Sequence, residues 1–546
     1  MRPYIQRGAA LGVALSLAIC SGCKVGNDYS PTRADYHASY MQVDESQGIR
    51  QEVGADVSSW WSQIQDETLT QLTREATSNN LTLREALYRI QAARATLGST
   101  QANAYPQFSQ SGGYTYGQTP AMGDYNDYAT ATSMSWEIDV FGRLERATEV
   151  ANANVEELRE LYRNAYVILC ADVARAYVTA RSYQEQIRIS EENIEIQHNT
   201  LEITRTKNEL GSASQLDEKQ ALGVCRGTES SLLTLQTNYQ QTLNQLSILL
   251  GQKTGYVDEL MKLGKPEIPN APEEILVGIP AELLRRRPDI RAAEQRVIAQ
   301  NARVGVAIGD LYPIFSLNGS FGLDGDSFSD MFNGDSISAS VGPSFRWNIL
   351  NFGKYRFNVD AQRFTHQELI VAYQQAVLEA AQQVDDALVL YANERQRVTT
   401  LFEARDAYRK AYDLSNDRYA SGQIDFQRLL DSQAGMLQYD LLYSQCRASM
   451  MQAVVQLYRA LGGDWMGSTV TASSEYMPMG GVERSTNADQ SVARRVERFT
   501  TRTTEEEDAE TAEWRERKER ARSQRVALLY QDVDDYDSDL DVNLQE

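Results

Sequence analysis

Residues 336–356 alternate between apolar and polar side chains with period two. One side of this stretch carries Ile337, Ala339, Val341, Pro343, Phe345, Trp347 and Ile349. The other side is polar and small, with serines, a glycine, Arg346 and Asn348. A strand of about 9–11 residues with this pattern crosses a membrane with its apolar face towards lipid and its polar face towards a lumen. An ordinary half-buried strand gives the same alternation, so this stretch alone leaves both interpretations open.

The same pattern occurs a second time, at residues 130–143. Trp136 lies 211 residues before Trp347, and Phe-Gly-Arg at 141–143 has the same offset from Phe-Gly-Lys at 352–354. Two further pairs share that spacing, Gly211 with Gly422 and Leu250 with Leu461, while the Tyr-Pro pairs at 105–106 and 312–313 are 207 residues apart. The chain is therefore predicted to duplicate a strand–strand–long helix–helix unit in which the strand region alone changed length.

This repeat divides the chain into segments. The prediction is a signal peptide at 1–22, an extended strap at 23–59, repeat 1 at 60–250 (strands about 107–116 and 129–139, long helix pair 143–250), an equatorial linker at 251–287, repeat 2 at 288–465 (strands about 314–323 and 337–348, long helix pair 354–461), and a charged, disordered tail at 466–546. The polar segment 117–128 is predicted to be an outward-facing loop. Each long helix would measure roughly 95–100 Å, a length typical of coiled coils or helical barrels.

Charge and composition exclude several classes of function. The net charge of −22 argues against a general affinity for nucleic acid. No run of 18 apolar residues occurs, so no transmembrane helix is expected. His37, His198 and His366 are scattered without metal-ligand spacing, and no catalytic or phosphate-binding motif is present. We therefore expect no enzyme activity, no metal site and no cofactor.

The N-terminus has the pattern of a bacterial export signal. Two arginines precede an apolar core at 9–19, and Ser-Gly then precedes Cys23. This resembles a lipobox, with cleavage before Cys23 and lipid on its sulfur. Cys20 departs from that pattern, which prefers leucine there, and ordinary cleavage near Ala18 is the alternative. The remaining cysteines, Cys170, Cys225 and Cys446, are odd in number and are predicted to be small buried residues.

Four strands per chain cannot close a membrane pore, because barrels need at least about eight strands. Open strand edges cannot lie in lipid, so the strands must be pooled between chains. The helices that follow are longer than a bilayer is thick, so the pore would continue as a helical tube into an aqueous compartment. The residues therefore predict a conduit.

Several phrases resemble the TolC-like outer-membrane factor family, in its OprM/NodT/CusC-type efflux lipoprotein branch. They are CKVGNDY at 23–29, WW at 60–61, GIPAELLRRRPDIRAAEQR at 278–296, the paired Tyr-Pro and Trp…Phe-Gly, RYASG at 418–422, LLDSQ at 429–433 and ALGGDW at 460–465. The resemblance covers about residues 20–465 and leaves the acidic tail without a counterpart.

The resemblance implies a mixed α and transmembrane β fold. Each chain would be an internally duplicated protomer of a trimeric 12-stranded outer-membrane β-barrel, continued by a long α-helical periplasmic barrel. The trimer would be a passive export duct for drugs or metal ions, docked by a periplasmic adaptor and an inner-membrane RND-type transporter, and anchored in outer-membrane lipid through Cys23. Two alternatives stay open: a type I protein-secretion duct, and a periplasm-spanning structural coiled-coil lipoprotein without a pore.

The resemblance also implies functional positions at the periplasmic end. Asp431 would join an acidic ring at the gate, with Asp217 and Glu218 adding to it. Gln427 and Ala434 stand where the branch has a gate leucine and an arginine, so the contacts that close the gate differ here.

The helical turns at 210–214 and 420–423 would contact the adaptor. Four turn residues carry that prediction: Gly211, Ser212, Ser421 and Gly422.

Overall fold

The computed structural model describes residues 24–31, 49–51, 64, 66–119, 123–263, 266–272, 275–277 and 286–463. The predicted signal peptide, Cys23, most of the strap, the WW pair at 60–61 and the tail at 466–546 lie outside these residues. The equatorial linker is described in part. Among the described helices, none combines the length and apolar character that crossing a membrane requires.

The described elements follow one another as repeated hairpins of strands and helices. In chain order they are β1 (Ile49–Gln51), α1 (Glu67–Asn79), α2 (Leu81–Ala102), β2 (Gln107–Thr119), β3 (Gly123–Ile138), α3 (Arg143–Glu209), α4 (Gln215–Leu249), α5 (Tyr256–Leu263), β4 (Ile275–Val277), α6 (Pro288–Gly309), β5 (Ile314–Gly325), β6 (Ile337–Arg346), α7 (Lys354–Ala420) and α8 (Phe426–Ala460).

The predicted duplication is present in the lengths and bounds of the helices. Helices α3 and α7 both contain 67 residues, and α4 and α8 both contain 35. Each of these pairs is offset by the 211 residues found in the sequence. Helices α2 and α6 contain 22 residues each, at the shorter offset of 207. The change in offset therefore falls between the end of α2 or α6 and the start of the long helix, where the strands lie.

Both strand pairs join one antiparallel sheet in the order β2-β3-β5-β6. Its register places Phe108 opposite Met134, Trp136 opposite Leu317 and Phe315 opposite Phe345. The apolar positions predicted on the separate strands therefore share one face. The other face is polar: Asn318 donates to Ser344 at 2.8 Å, and the Ser320 and Ser340 hydroxyls lie 2.7 Å apart.

The prediction of a long loop at 117–128 is wrong. Strand β2 continues to Thr119 and β3 begins at Gly123, with Gln118 paired to Asp124. Asn, Asp and Gly in this segment indicated a loop, but the backbone groups pair as a hairpin extension. Strand β6 ends at Arg346, two residues before the predicted limit, while β5 extends two residues beyond its own.

The main core lies where helices of both repeats meet the linker. Leu72 of α1, Tyr177 of α3, Val384 of α7 and Leu457 of α8 belong to one cluster and are at most 1% exposed. Strands β1 and β4 pair in parallel beside it and bury Ile49 against this core. Strand β1 of the strap therefore pairs with strand β4 of the linker at the level where the two repeats pack together.

Candidate functional site

The first helical turn, at 210–214, is an exposed glycine-dependent reversal. Gly211 has φ +74° and nothing lies within 4 Å of a Cβ built there. The amide of Ser212 donates to the carbonyl of Lys207 at 2.7 Å, which completes the end of α3 in the way typical of a glycine-terminated helix. Leu210 and Leu216 flank the turn with exposed fractions of 76% and 65%. The turn therefore presents apolar side chains to solvent.

The second turn, at 420–423, repeats this geometry. Gly422 has φ +73°, again with open space around it, and the amide of Gln423 donates to the carbonyl of Arg418 at 2.8 Å. Ser421 and Gly422 are both exposed. All four residues predicted to contact an adaptor are thus at the surface of two equivalent turns.

The two turns are tied to each other. The Lys207 ammonium donates to the Tyr419 carbonyl at 2.7 Å and lies 3.9 Å from the centre of the Tyr419 ring. Beneath this contact, Tyr419 packs in a buried cluster with Leu201, Phe426 and Leu429. Because the cluster draws on α3, α7 and α8, the ends of both repeats are held together as one packed unit.

Two of the predicted gate residues cap and brace the first turn. The Asp217 carboxylate accepts from the Ser214 amide at 3.0 Å, and the Ser214 hydroxyl accepts from the Asp217 amide at 3.2 Å. This reciprocal pair is a capping box. The Glu218 carboxylate accepts from the Asn208 side chain at 3.0 Å and is only 16% exposed. Both residues contact their own hairpin, and their place in an acidic ring stays a prediction.

Asp431 differs from these two because it is exposed. It lies in the second turn of α8, two residues after Leu429, which is 1% exposed. Its carboxylate accepts from the Gln427 side chain at 2.9 Å. Gln427 therefore holds the predicted gate carboxylate from the preceding turn of the same helix.

A buried ion-pair network above the second turn was not predicted. The Asp440 carboxylate is 2% exposed and accepts from Arg405 Nε at 2.8 Å and from Arg409 Nε at 2.8 Å. Next to it, the rings of Tyr408 and Tyr439 stack at 4.4 Å. The signal in the sequence was symmetry: Arg405 and Asp440 lie equally far from the turn, so an antiparallel hairpin places them opposite each other.

The N-terminal residues are fixed where the sheet meets the long helices. Lys24 forms ion pairs with Glu145, at 3.2 Å, and with Glu149. Arg146, which is 2% exposed, donates to the carbonyls of Val25 at 3.1 Å and Gly26 at 2.9 Å. The residue that follows Cys23 is therefore held beside the first turn of α3.

Each strand pair also ends in a matching tryptophan contact. The indole of Trp136 donates to the Ala104 carbonyl at 2.9 Å, and that of Trp347 donates to the Leu311 carbonyl at 3.0 Å. Trp136 is half-buried and Trp347 is exposed. Tryptophans at the end of a strand pair are typical of the membrane–water boundary.

Comparison with known proteins decides the family. The model of the outer membrane efflux protein family matches residues 72–252 and 279–463, one block for each repeat. The chain belongs to this family. Nodulation protein T of Rhizobium leguminosarum bv. trifolii is 29% identical over 451 residues, 81% of this chain and 94% of that protein. The toluene efflux pump outer membrane protein TtgF of Pseudomonas putida is 28% identical over 473 residues, 83% and 96% of the two chains. A solved structure of the outer-membrane channel OprN has 30% identity and a TM-score of 0.73, and it covers 81% of this chain and all of that one.

Membership of this family indicates which parts of the molecule lie in the outer membrane and which lie in the periplasm. This outer membrane efflux protein is a channel component, with its strands in the outer membrane and its long helices in the periplasm. The fixed N-terminal residues and the tryptophan contacts therefore lie near the membrane surface, and the two turns lie at the opposite, periplasmic end.

Proposed function

We propose that three copies of this chain close into a passive export duct for small molecules, drugs or metal ions, and that the duct joins a periplasmic adaptor and an inner-membrane RND-type transporter. The observation that carries the proposal is the open sheet: among the described strands, β2 is hydrogen-bonded only to β3, and β6 only to β5. Unpaired strand edges are not tolerated in lipid, so β6 of one copy must pair with β2 of the next. Three such pairings would close 12 strands.

The long helices support the same head-to-tail pairing. On α7, Phe357, Phe364, Val371 and Leu378 recur every seven residues and are 55–75% exposed. On α2, Leu81 and Tyr88 have the same spacing, with exposed fractions of 64% and 61%. A seven-residue apolar repeat is typical of a helix seam that packs against another helix. A second copy would bury both stripes.

A charged residue placed in the exposed apolar row of α7 tests whether three chains assemble through this surface. We expect Phe364→Glu to abolish the trimer in detergent extracts, because the carboxylate would be buried at the seam, whereas the control Thr365→Glu, at an exposed position off the stripe, should leave it intact. Sedimentation of the purified protein measures both. A trimer of unchanged stability in Phe364→Glu, or a monomer that keeps the full strand content in the wild type, would contradict the proposal.

We expect the periplasmic adaptor to dock at the two turns because both turns are exposed. Ser212→Cys and Ser421→Cys should crosslink to the adaptor in cells, while Lys253→Cys, exposed in the equatorial linker, should not. Equal crosslinking from Lys253→Cys would remove the distinction between the two ends of the helices.

The gate proposal rests on the exposed carboxylate of Asp431. Threefold symmetry would bring three copies around one axis, with Asp217 and Glu218 nearby, and a ring of carboxylates attracts cations. We expect Asp431→Ala to raise leak conductance and to weaken cation preference in planar bilayers. The control Asp360→Ala changes an exposed carboxylate near the other end of α7. Unchanged conductance and selectivity in Asp431→Ala would place this residue outside the constriction.

Lipid attachment at Cys23 is supported by the residues that follow it, since Lys24 is held at the level where the sheet ends. An acyl chain on residue 23 would therefore be close to the membrane. Cys23→Ser should lose metabolic labelling by a lipid precursor, whereas Cys20→Ser should keep it. Labelling that persists in Cys23→Ser would exclude this attachment site.

A further inference from the structure

A histidine, a thiol and a carboxylate converge between α3 and α4. His198 Nε2 lies 3.7 Å from Cys225 Sγ and 3.3 Å from Glu229 Oε1, and Cys225 Sγ lies 3.7 Å from the same Glu229 oxygen. Within the described part of the chain, this is the one group of three or more such side chains whose ligand atoms all lie within 4.8 Å of one another. His198 and Cys225 are 27 residues apart in the sequence, so no local metal-ligand spacing marks the group.

The spacing of the three donor atoms matches a tetrahedral zinc site. Zinc binds imidazole nitrogen and carboxylate oxygen at about 2.0–2.2 Å and thiolate sulfur at about 2.3 Å. Tetrahedral angles then place nitrogen and oxygen about 3.3 Å apart, and sulfur about 3.5–3.6 Å from either of them. The observed separations of 3.3 Å and 3.7 Å lie within about 0.2 Å of these values. We propose that His198, Cys225 and Glu229 bind Zn²⁺, with water in the fourth position.

The surroundings suit an ion that enters from solvent. Cys225 is fully buried, whereas the His198 side chain is 51% exposed and leaves one side of the group open. The second oxygen of Glu229 accepts from Arg226 Nη1 at 2.6 Å, which directs the first oxygen towards the sulfur and the imidazole. Such a contact to the non-ligating atom orients a metal ligand. A thiolate–imidazole–carboxylate set favours zinc over magnesium or calcium, which prefer oxygen ligands.

The bound ion would connect the two helices of the first hairpin. Both His198 and Cys225 lie between about three and four helical turns from the reversal at Gly211. Zinc there would join α3 to α4 just above the turn and restrict their separation. This inference depends on the geometry of the hairpin alone and is independent of the proposed efflux duct.

The second hairpin supplies an internal control. At the offset of 211 residues, Arg409, Met436 and Asp440 replace the three ligands, and the Arg409 Nε atom contacts Asp440 directly at 2.8 Å. Cys446 also approaches a carboxylate, with its sulfur 3.3 Å from Glu394 Oε2, but it belongs to no group of three ligands in the described residues. The site is therefore expected once per chain.

Metal binding to the purified full-length protein tests the inference. After chelator treatment and equilibration with Zn²⁺, mass spectrometry should find about one tightly bound zinc per chain. His198→Gln, Cys225→Ser and Glu229→Gln should each weaken zinc binding by roughly tenfold or more. The control Cys446→Ser should bind zinc as the wild type does. Cobalt in place of zinc should give a thiolate-to-metal charge-transfer band that Cys225→Ser removes and Cys446→Ser retains.

Two results would overturn the inference. Wild-type protein without zinc above background would mean that the group is a hydrogen-bonded cluster only. Equal zinc in the wild type and in His198→Gln would place the ion elsewhere. Because the His198 side chain is half-exposed, His198→Gln is expected to fold. It therefore still tests the site if Cys225→Ser fails to fold.

Discussion

The hairpins α3–α4 and α7–α8 have the same length and the same turn, yet they connect their helices differently at equivalent positions. In repeat 1, His198 approaches Glu229 at 3.3 Å beside a buried thiol. In repeat 2, Arg409 and Arg405 bind a carboxylate that is 2% exposed. Both repeats therefore have a basic side chain opposite an acidic one between the helices. The basic side chain is a histidine in repeat 1 and arginine in repeat 2. An arginine contact is permanent, because guanidinium stays charged, whereas imidazole needs a proton or a metal ion.

The largest expected effect of a substitution distinguishes the Asp440 contact of repeat 2 from the Glu229 contact of repeat 1. Asp440→Asn would leave two guanidinium groups beside a buried neutral amide, and we expect local opening of α8 to become easier by about 2 kcal/mol, reduced from the full buried-pair value because both arginines are partly exposed. Hydrogen exchange of the α8 amides near residue 440 should then be roughly 30-fold faster. Glu229→Gln, at the equivalent position of repeat 1, should change the exchange rate of the α4 amides far less when zinc is absent, because solvent screens the charge of Glu229. Equal effects in both hairpins would mean that burial of the acid does not distinguish them.

A smaller effect of opposite sign in the two hairpins is expected at helical glycines. A Cβ on Gly435 would lie 2.5 Å from the Tyr408 ring, which is stacked on Tyr439. Gly435→Ala should therefore destabilise α8 by about 1–2 kcal/mol. Gly223 of α4 has open space, so Gly223→Ala should stabilise its helix by about 0.5–1 kcal/mol. Thermal unfolding of the variants gives both signs, and stabilisation by Gly435→Ala would show that Tyr408 moves aside without cost.

The smallest difference between the two repeats is expected at their turn glycines. Gly211→Ala and Gly422→Ala each force a left-handed backbone on alanine at a site with free space, so each should cost about 1 kcal/mol. The same unfolding measurements apply. A clear difference between the two variants would indicate that one turn relaxes and the other does not.

Features that depend on local pattern were predictable from the sequence. The strand faces followed from alternation, and the helix ends followed from Gly211 and Gly422. The start of β3 was missed because residues 123–128 are polar on both faces, so no alternation marks a strand that extends beyond the apolar region. Its hydrogen bonds are made to the partner strand and are independent of side-chain polarity.

Contacts between helices were missed because helical periodicity shows which face is apolar and not which residues meet. His198 and Cys225 are placed symmetrically about the first turn, as Arg405 and Asp440 are about the second. Folding the sequence back at each glycine would have placed these residues opposite each other. The distances and the burial that distinguish a zinc site from an ion pair depend on side-chain conformations, which helical periodicity does not show.

The contact between Lys207 and Tyr419 has a mechanical consequence. It joins the end of repeat 1 to the end of repeat 2, so the two turns of one chain cannot separate without breaking a charged hydrogen bond and exposing apolar surface. The periplasmic end of a trimer would then consist of three rigid units, one per chain, and not of six turns that move independently. Opening would proceed in at most three steps, so single-channel recordings of the wild type would contain at most two levels between the closed and the fully open state.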